Sequence, residues 1–283
     1  MTNSTKTKSI SNAKINLGLQ VLNKREDGYH NLHSVFVETD LSDILTFSPA
    51  DKYSLEVEGV QAPTDDSNLI SKAYHLLSTQ AQKVSSGYRI HLKKRIPTGG
   101  GLGGGSSNAA TTLLTLNKLW NLNKTEEELE RLGKTIGADV PFFIKGGVQL
   151  VEGIGDILTP IDADPLKGLV FVLVIPPIHV STPAAYKALN KSLQAITDHP
   201  KFAPLSKPMK WELFDNDFER VIRKTYPEIG EIKEKLLQNG ALFASLSGSG
   251  STVFGVFDNR EKAKASMEKF SPYQTFLSSP VFR

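Results

Sequence analysis

The sequence predicts an α+β fold in two domains, and three observations carry that prediction. Strand-like and helix-like segments are intermixed without the regular strand–helix alternation of a doubly wound sheet. At 283 residues the chain is long enough to divide. Its character changes over 162–167, a polar stretch with two acids, a proline and a lysine that precedes the apolar run 169–175. That change places one domain at 1–162 and a second at 163–283. No internal repeat is evident.

Taken in order, 10–21 alternates Ile15, Leu17, Leu19 and Val21 with a polar set that includes Asn12, Lys14 and Asn16, so it reads as a strand. Residues 24–28 form a turn, and 33–39, 43–47 and 53–57 continue the β pattern before a loop over 63–67. Residues 68–82 read as a helix and 88–96 as a strand that enters a run of six glycines in the seven positions 99–105. Ser106, Ser107 and Asn108 are residue types that cap helices, and the apolar period of 109–120 follows them. Thr125 to Glu128 has the spacing of a capping box, opening a helix that ends near Gly137. A strand at 148–151 completes the first domain. In the second, 169–175 is a strand, 182–191 a helix and 192–208 a polar excursion. A helix at 228–238 ends at Gly240, 243–251 is a Gly/Ser loop, 252–257 is a strand and 260–270 a final helix.

The glycine run is the strongest chemical signal. Glycine loops feeding a helix N-terminus make anion sites, because unpaired N–H groups and the helix dipole converge there. The alternative, a flexible linker, does not explain the amphipathic helix that follows, with Leu113, Leu116 and Trp120 on one face. No lysine stands before Ser106, so the run is not a P-loop, and its match to the dinucleotide fingerprint lacks a ribose-binding acid downstream.

Asp139 sits between a helix-ending glycine and Pro141, beside Phe142 and Phe143. A carboxylate on such short, stiff backbone suits a general base or metal ligand, and equally the N-cap of a short helix. Lys14 and Asn16 share a strand face and together suit a phosphate or hydroxyl; an exposed strand face is the alternative. Tyr29 and His30 follow a turn and offer a ring to stack on a base and an imidazole to read its edge, or simply a packed tyrosine.

Composition narrows the classes. Thirty-three basic and 30 acidic residues leave +3, with only the local cluster Lys93, Lys94 and Arg95 to suggest nucleic acid. The absence of cysteine excludes disulfides, thiolate catalysis and Cys-based zinc. The six histidines are scattered without metal-ligand spacing. The longest apolar run is far short of the roughly 20 residues that span a bilayer, and the polar N-terminus is no secretory signal. A soluble cytoplasmic protein is the expectation.

Together, residues 13–17, 97–110 and 246–253 resemble the three motifs of the GHMP kinase superfamily, in their order. Residues 27–30 and 137–143 resemble, within it, the kinases of a cytidine-diphosphate-linked methylerythritol in non-mevalonate isoprenoid synthesis. The resemblance implies an N-terminal domain like the second domain of ribosomal protein S5 and a ferredoxin-like C-terminal domain, with the active site in the cleft between them. It implies ATP-dependent phosphorylation of the 2-hydroxyl, with Asp139 as base supported by Lys14. Asn68, Leu69 and Lys94 would line the adenine. Pro97, Gly99, Gly100, Gly101, Leu102, Gly103, Gly104, Gly105, Ser106, Ser107 and Asn108 would cradle the phosphates. Tyr29 and Tyr186 would sandwich the cytosine, with Asn16, His30, Thr182, Ser247, Gly248, Ser249 and Gly250 completing the substrate site. Mg²⁺ would be held mainly by ATP and water, with Ser106 or Asp139 assisting and no dedicated protein ligand. Asn12 stands where the first motif usually has proline, and Tyr186 where phenylalanine is expected. The implied partners are small molecules, with no nucleic acid or membrane, and a monomer or weak dimer. The rivals are a mevalonate- or homoserine-type kinase and, from another class, a nucleic-acid-binding module.

Overall fold

The computed structural model describes residues 6–80, 87–189 and 205–283. They form two compact units that interleave along the chain. The first gathers the N-terminal residues through Ala13, Ser42–Thr98 and Gly103–Gly146; the second gathers Lys14–Leu41, Gly99–Leu102 and Gly147–Arg283. The interleaving follows from two long strands, β1 (Thr7–Lys24) and β2 (His30–Ala50), each of which contributes to both units.

The segments 33–39 and 43–47, which read as two strands, are one uninterrupted β2. Nothing between them breaks extended backbone, and the two acids at the junction, Asp40 between the segments and Asp43 at the start of the second, are bonded within the fold. Asp40 accepts from Ser278 Oγ at 2.6 Å and from the Ser279 N–H at 2.9 Å, and Asp43 accepts from the Arg95 and Ile96 N–H groups.

In the first unit, the second half of β2 pairs antiparallel with β4 (Gly87–Lys94), which pairs in parallel with β3 (Ser54–Gly59). Helices α1 (Leu69–Ser78), α2 (Gly104–Leu119), α3 (Glu126–Ile136) and α4 (Val140–Lys145) complete it. The α3 capping box forms as expected: Thr125 Oγ1 accepts from Glu128 N–H, and Glu128 accepts from Thr125 N–H. Helix α1 stops at Ser78; the end of its expected range, 81–82, lies outside the described residues.

In the second unit, the first half of β2 pairs antiparallel with β5 (Val148–Gly153), and β5 with β6 (Ile157–Pro160). A separate antiparallel sheet contains β7 (Val170–Ile175), β8 (Phe243–Leu246), β9 (Val253–Phe257) and β10 (Gln274–Ser278), in the order β10-β7-β9-β8. Numbered by sequence within that sheet the order is 4-1-3-2, the ferredoxin-like arrangement. Helices α5 (Thr182–Leu189), α6 (Glu219–Thr225), α7 (Pro227–Gln238) and α8 (Arg260–Met267) belong to this unit. Strand β7 is buried on both faces, which its unbroken apolar sequence requires. Its Val170, Val172 and Val174 share a core with Ile229, Ile232 and Leu236 of α7.

Three elements had no clear sequence signature. Strand β6 is four residues long, β10 does not alternate, and the seven-residue α6 lacks a capping side chain. Residues 243–246 form β8, not the start of a loop, because the Ser245 hydroxyl that argued for a loop is buried and donates to Glu219 at 2.7 Å. Residues 190–204, which include the end of the expected 182–191 helix and most of the polar excursion, lie outside the described residues. Among the described residues no helix is long and apolar enough to cross a membrane.

Candidate functional site

In the second unit, residues 14–17 of the first motif and 99–102 of the glycine run meet the third motif, 246–253. Residues 13–21 of β1 are buried on both faces, so the polar face carrying Lys14 and Asn16 is not a solvent face. Lys14 is 4% exposed and Asn16 1%. The Lys14 ammonium donates to Asn16 Oδ1 at 2.5 Å and lies 4.6 Å from the centre of the Phe36 ring. Asn16 Nδ2 in turn donates to Ser34 Oγ at 3.3 Å.

The glycine segment 99–102 is fixed against this strand. Lys14 N–H donates to Leu102 O at 3.0 Å, Thr252 N–H to Gly100 O at 3.2 Å, and Ser247 Oγ to Gly101 O at 2.8 Å. The same Ser247 hydroxyl accepts from Asn16 N–H at 3.3 Å. Gly248 has φ +59°, and a Cβ there would come within 3.3 Å of Asn16 Oδ1 and 3.8 Å of Lys14 Nζ. Ser249 Oγ and Thr182 Oγ1 are 2.7 Å apart, so α5 is joined to the loop that also contains Gly250.

His30 is buried and stacks on Tyr186, with centroids 5.5 Å apart and planes at 22°. Tyr186 also meets Phe218 edge-on at 4.9 Å. Tyr29, by contrast, is 62% exposed and is presented by a turn in which its N–H donates to Asp27 Oδ1 at 3.1 Å. Arg25 and that same N–H hold the Asp27 carboxyl below the usual carboxylate range, which keeps the turn charged and bonded.

In the first unit the helix expected to begin at 109 starts five residues earlier. Gly103 is the N-cap of α2, and Ser106, Ser107 and Asn108 lie inside its first turns. They do not cap it. Ser107 Oγ pairs with Ser11 Oγ at 2.7 Å, while Asn108 Nδ2 donates to Ser11 Oγ at 2.9 Å and Asp43 Oδ2 at 3.0 Å. These tertiary bonds hold Ser107 and Asn108 in helix despite their preference for caps. The first turn of α2 contains no acidic side chain, so its leading N–H groups remain a cationic end suited to phosphate.

Lys94 and Asp43 brace that end. The buried ammonium donates to Asp43 Oδ2 at 2.8 Å and Asn108 Oδ1 at 3.4 Å, and a Cβ on Gly104 would lie 3.3 Å from it. Asp43 is fully buried and accepts from Arg95 N–H at 2.6 Å and Ile96 N–H at 2.8 Å, fixing the chain that leads through Pro97 into the glycines. Asp43→Ala strips a buried cation of its counter-ion and is expected to cost about 3–5 kcal/mol of stability in urea denaturation; a loss under about 1 kcal/mol would refute this account. Because Lys94 points inward and Lys93 pairs with Glu58 at 3.3 Å, the basic cluster 93–95 is not a continuous cationic surface.

Asn68 caps α1: its Oδ1 accepts from Ile70 N–H at 2.9 Å and its Nδ2 donates to Pro63 O at 2.6 Å. Leu69 Cδ1 lies 3.6 Å from where Gly105 would carry a Cβ, which places it on the first turn of α2. The segment leading to Asp139 packs there too, since a Cβ on Gly137 would sit 3.6 Å from Ser106 Oγ and 3.9 Å from Leu69 Cδ1. Asp139 occupies the N-cap position of α4 in αR conformation, and its side chain makes no capping hydrogen bond. Among the described residues no group of three His, Asp or Glu side chains could hold a metal.

Sequence reasoning missed Ser11, Asp43, Asn216 and Glu219. Ser11 and Asp43 act from strands far from the motifs they support, and no local pattern marks them.

The model of the GHMP kinases N terminal domain matches residues 68–147, and that of the GHMP kinases C terminal matches 188–271. The chain is 42% identical to the 4-diphosphocytidyl-2-C-methyl-D-erythritol kinase of Chlorobium luteolum, over 95% of this chain and 96% of that protein. It is 44% identical to the one from Alkaliphilus oremlandii, over 92% and 91%. A crystal structure of 4-(cytidine 5'-diphospho)-2C-methyl-D-erythritol kinase aligns with a TM-score of 0.79 and 31% identity, covering 96% of this chain and 99% of that one.

Proposed function

Because the chain belongs to the 4-diphosphocytidyl-2-C-methyl-D-erythritol kinase family of the GHMP kinases, we propose that it phosphorylates the 2-hydroxyl of that alcohol, with Asp139 as general base. In this reading Asp139 takes the hydroxyl proton, the oxygen attacks the γ-phosphorus of ATP, and ADP leaves. The observation that carries it is the set of bonds joining Lys14, Ser247 and Thr252 to Leu102, Gly101 and Gly100, with Asn16 N–H donating in turn to Ser247 Oγ. Such a network puts a buried ammonium and two small-residue loops in one place, which is what a transferring phosphoryl group needs.

The phosphates lie, in this proposal, along residues 99–106, with the N-terminus of α2 neutralising charge. Leu69 supplies apolar surface for the adenine. Lys94, Ser107 and Asn108 act chiefly by fixing the loop, since their polar atoms are committed within the first unit. Mg²⁺ would come with ATP and neutralise its phosphates, and Ser106 or Asp139 would be the residues to assist in holding it. We also propose dividing the chain near 162/163, a position that falls between the two family models.

His30 stacked on Tyr186, with Tyr29 exposed nearby in sequence, supports a cytosine site. Release of ADP with CDP-methylerythritol, compared with mevalonate, homoserine and other alcohols, tests the substrate directly. Activity on those alcohols and none on the cytidine compound would overturn it. Tyr29→Ala is expected to raise KM for the alcohol about 5- to 150-fold, the equivalent of roughly 1–3 kcal/mol of stacking, with little change in kcat. A change confined to KM for ATP would instead assign Tyr29 to the nucleotide.

A further inference from the structure

We propose that Asn216, in the turn preceding α6, is a positioning residue that sets the geometry of the 246–250 loop relative to β1. The proposal rests on reading that loop as part of the substrate site. Asn216 spends both amide hydrogens on it: Nδ2 donates to Leu246 O at 2.7 Å and Gly248 O at 2.9 Å. Its Oδ1 accepts from Phe218 N–H at 2.9 Å, which fixes the amide's orientation. The residue is 4% exposed, so water does not easily substitute for these bonds.

The same turn grips β1. Leu19 N–H donates to Asp215 O at 2.9 Å, and Asp217 N–H to Leu19 O at 2.9 Å. Asp217 Oδ2 accepts from Val21 N–H at 2.8 Å. A second acid secures the approach to the loop, because Glu219 Oε1 accepts from Ser245 Oγ at 2.7 Å and Leu246 N–H at 2.9 Å. Lys233 neutralises Glu219 at 2.6 Å. One short segment therefore ties the strand bearing Lys14 and Asn16 to the loop bearing Gly248.

The chemistry requires an asparagine. Two carbonyl oxygens must be met by one side chain whose own acceptor meets an N–H, and an amide supplies both donors and the acceptor. Holding Gly248 C=O toward Asn216 turns the Ser249 N–H to the opposite side of a planar peptide. It also keeps the Gly248 backbone against Asn16 and Lys14.

The test uses the full chain carrying Asn216→Asp, an isostere that presents a carboxylate to two carbonyls, with Asn216→Ala beside it. Expected are a folded protein, faster amide hydrogen exchange concentrated at 246–252, and a fall in kcat/KM for CDP-methylerythritol of about 10- to 100-fold, with a rising KM for the alcohol. Unchanged exchange and kinetic constants in folded Asn216→Asp would overturn the proposal. So would lower thermal stability with KM unaltered in the folded fraction, which would make the turn purely structural. If wild-type protein fails to phosphorylate the alcohol, the substrate reading falls, and hydrogen exchange still decides the role of Asn216.

Discussion

Asp139→Ala is expected to lower kcat by about 10²- to 10⁴-fold while ATP still binds, the range for loss of a positioned base. The residue lies on backbone fixed from both sides. Gly137 N–H closes α3 on Gly133 O at 3.1 Å, Val140 N–H returns to Gly137 O at 3.1 Å, and Pro141 stiffens the first turn of α4. Its side chain is half-buried and does not cap α4, so truncation removes a carboxylate without removing a helix-ending bond. The phosphate-binding features proposed here, the glycines and the start of α2, keep their own residues in this variant. The Asp139→Asn variant is equally informative, because it keeps the shape and removes the proton acceptor. Calorimetry of ATP binding beside steady-state rates separates the outcomes. A variant with wild-type kcat would take Asp139 out of the chemistry, and one that no longer binds ATP would make it part of the nucleotide site.

How much of this was legible before the structure depends on whether a signal was local. The alternation of Lys14 and Asn16 with Ile15 and Leu17 was visible, because strand faces repeat every two residues. The burial of both faces was not, since periodicity distinguishes two faces without saying what covers them. The glycine run gives the expectation of an anion site, but the sequence places the start of α2 too late. Glycine's low helix propensity and the capping preference of Ser and Asn both pointed to 109, and tertiary bonds from Ser11 and Asp43 override them. The Thr125 capping box, complete within four residues, appeared as read. Asp43 and the amide nitrogen of Asn216 carry no such local mark, since Asn108, Leu246 and Gly248, which they bond, lie 30 or more positions away. The resemblance of motifs at 13–17, 97–110 and 246–253 supplied what periodicity lacked, since it grouped segments that only the tertiary structure brings together.

Those contacts give the second large prediction, which separates Gly101 from its neighbour Gly105. Gly101 has φ +78°, and a Cβ there would overlap the Ser247 carbonyl oxygen and approach Gly250 O to 3.2 Å. The obstacle is backbone on both counts, so no side-chain rotation relieves it, and the left-handed conformation adds its own cost of about 1–2 kcal/mol. Gly105, in the first turn of α2, meets nothing closer than Leu69 Cδ1 at 3.6 Å, an ordinary contact with a flexible side chain. Gly101→Ala must therefore push the glycine segment away from the 246–250 loop, breaking the Ser247 Oγ bond to Gly101 O. Displacement on the ångström scale is expected to reduce kcat/KM for ATP by about 100-fold or more. Gly105→Ala should keep most of the activity and gain about 0.5–1 kcal/mol of helix stability. Measuring both variants under one assay makes the comparison decisive. Equal, small losses would show that the approach of the two loops is slack, and a larger loss at Gly105 would move the phosphate contact from the loop to the surface of α2.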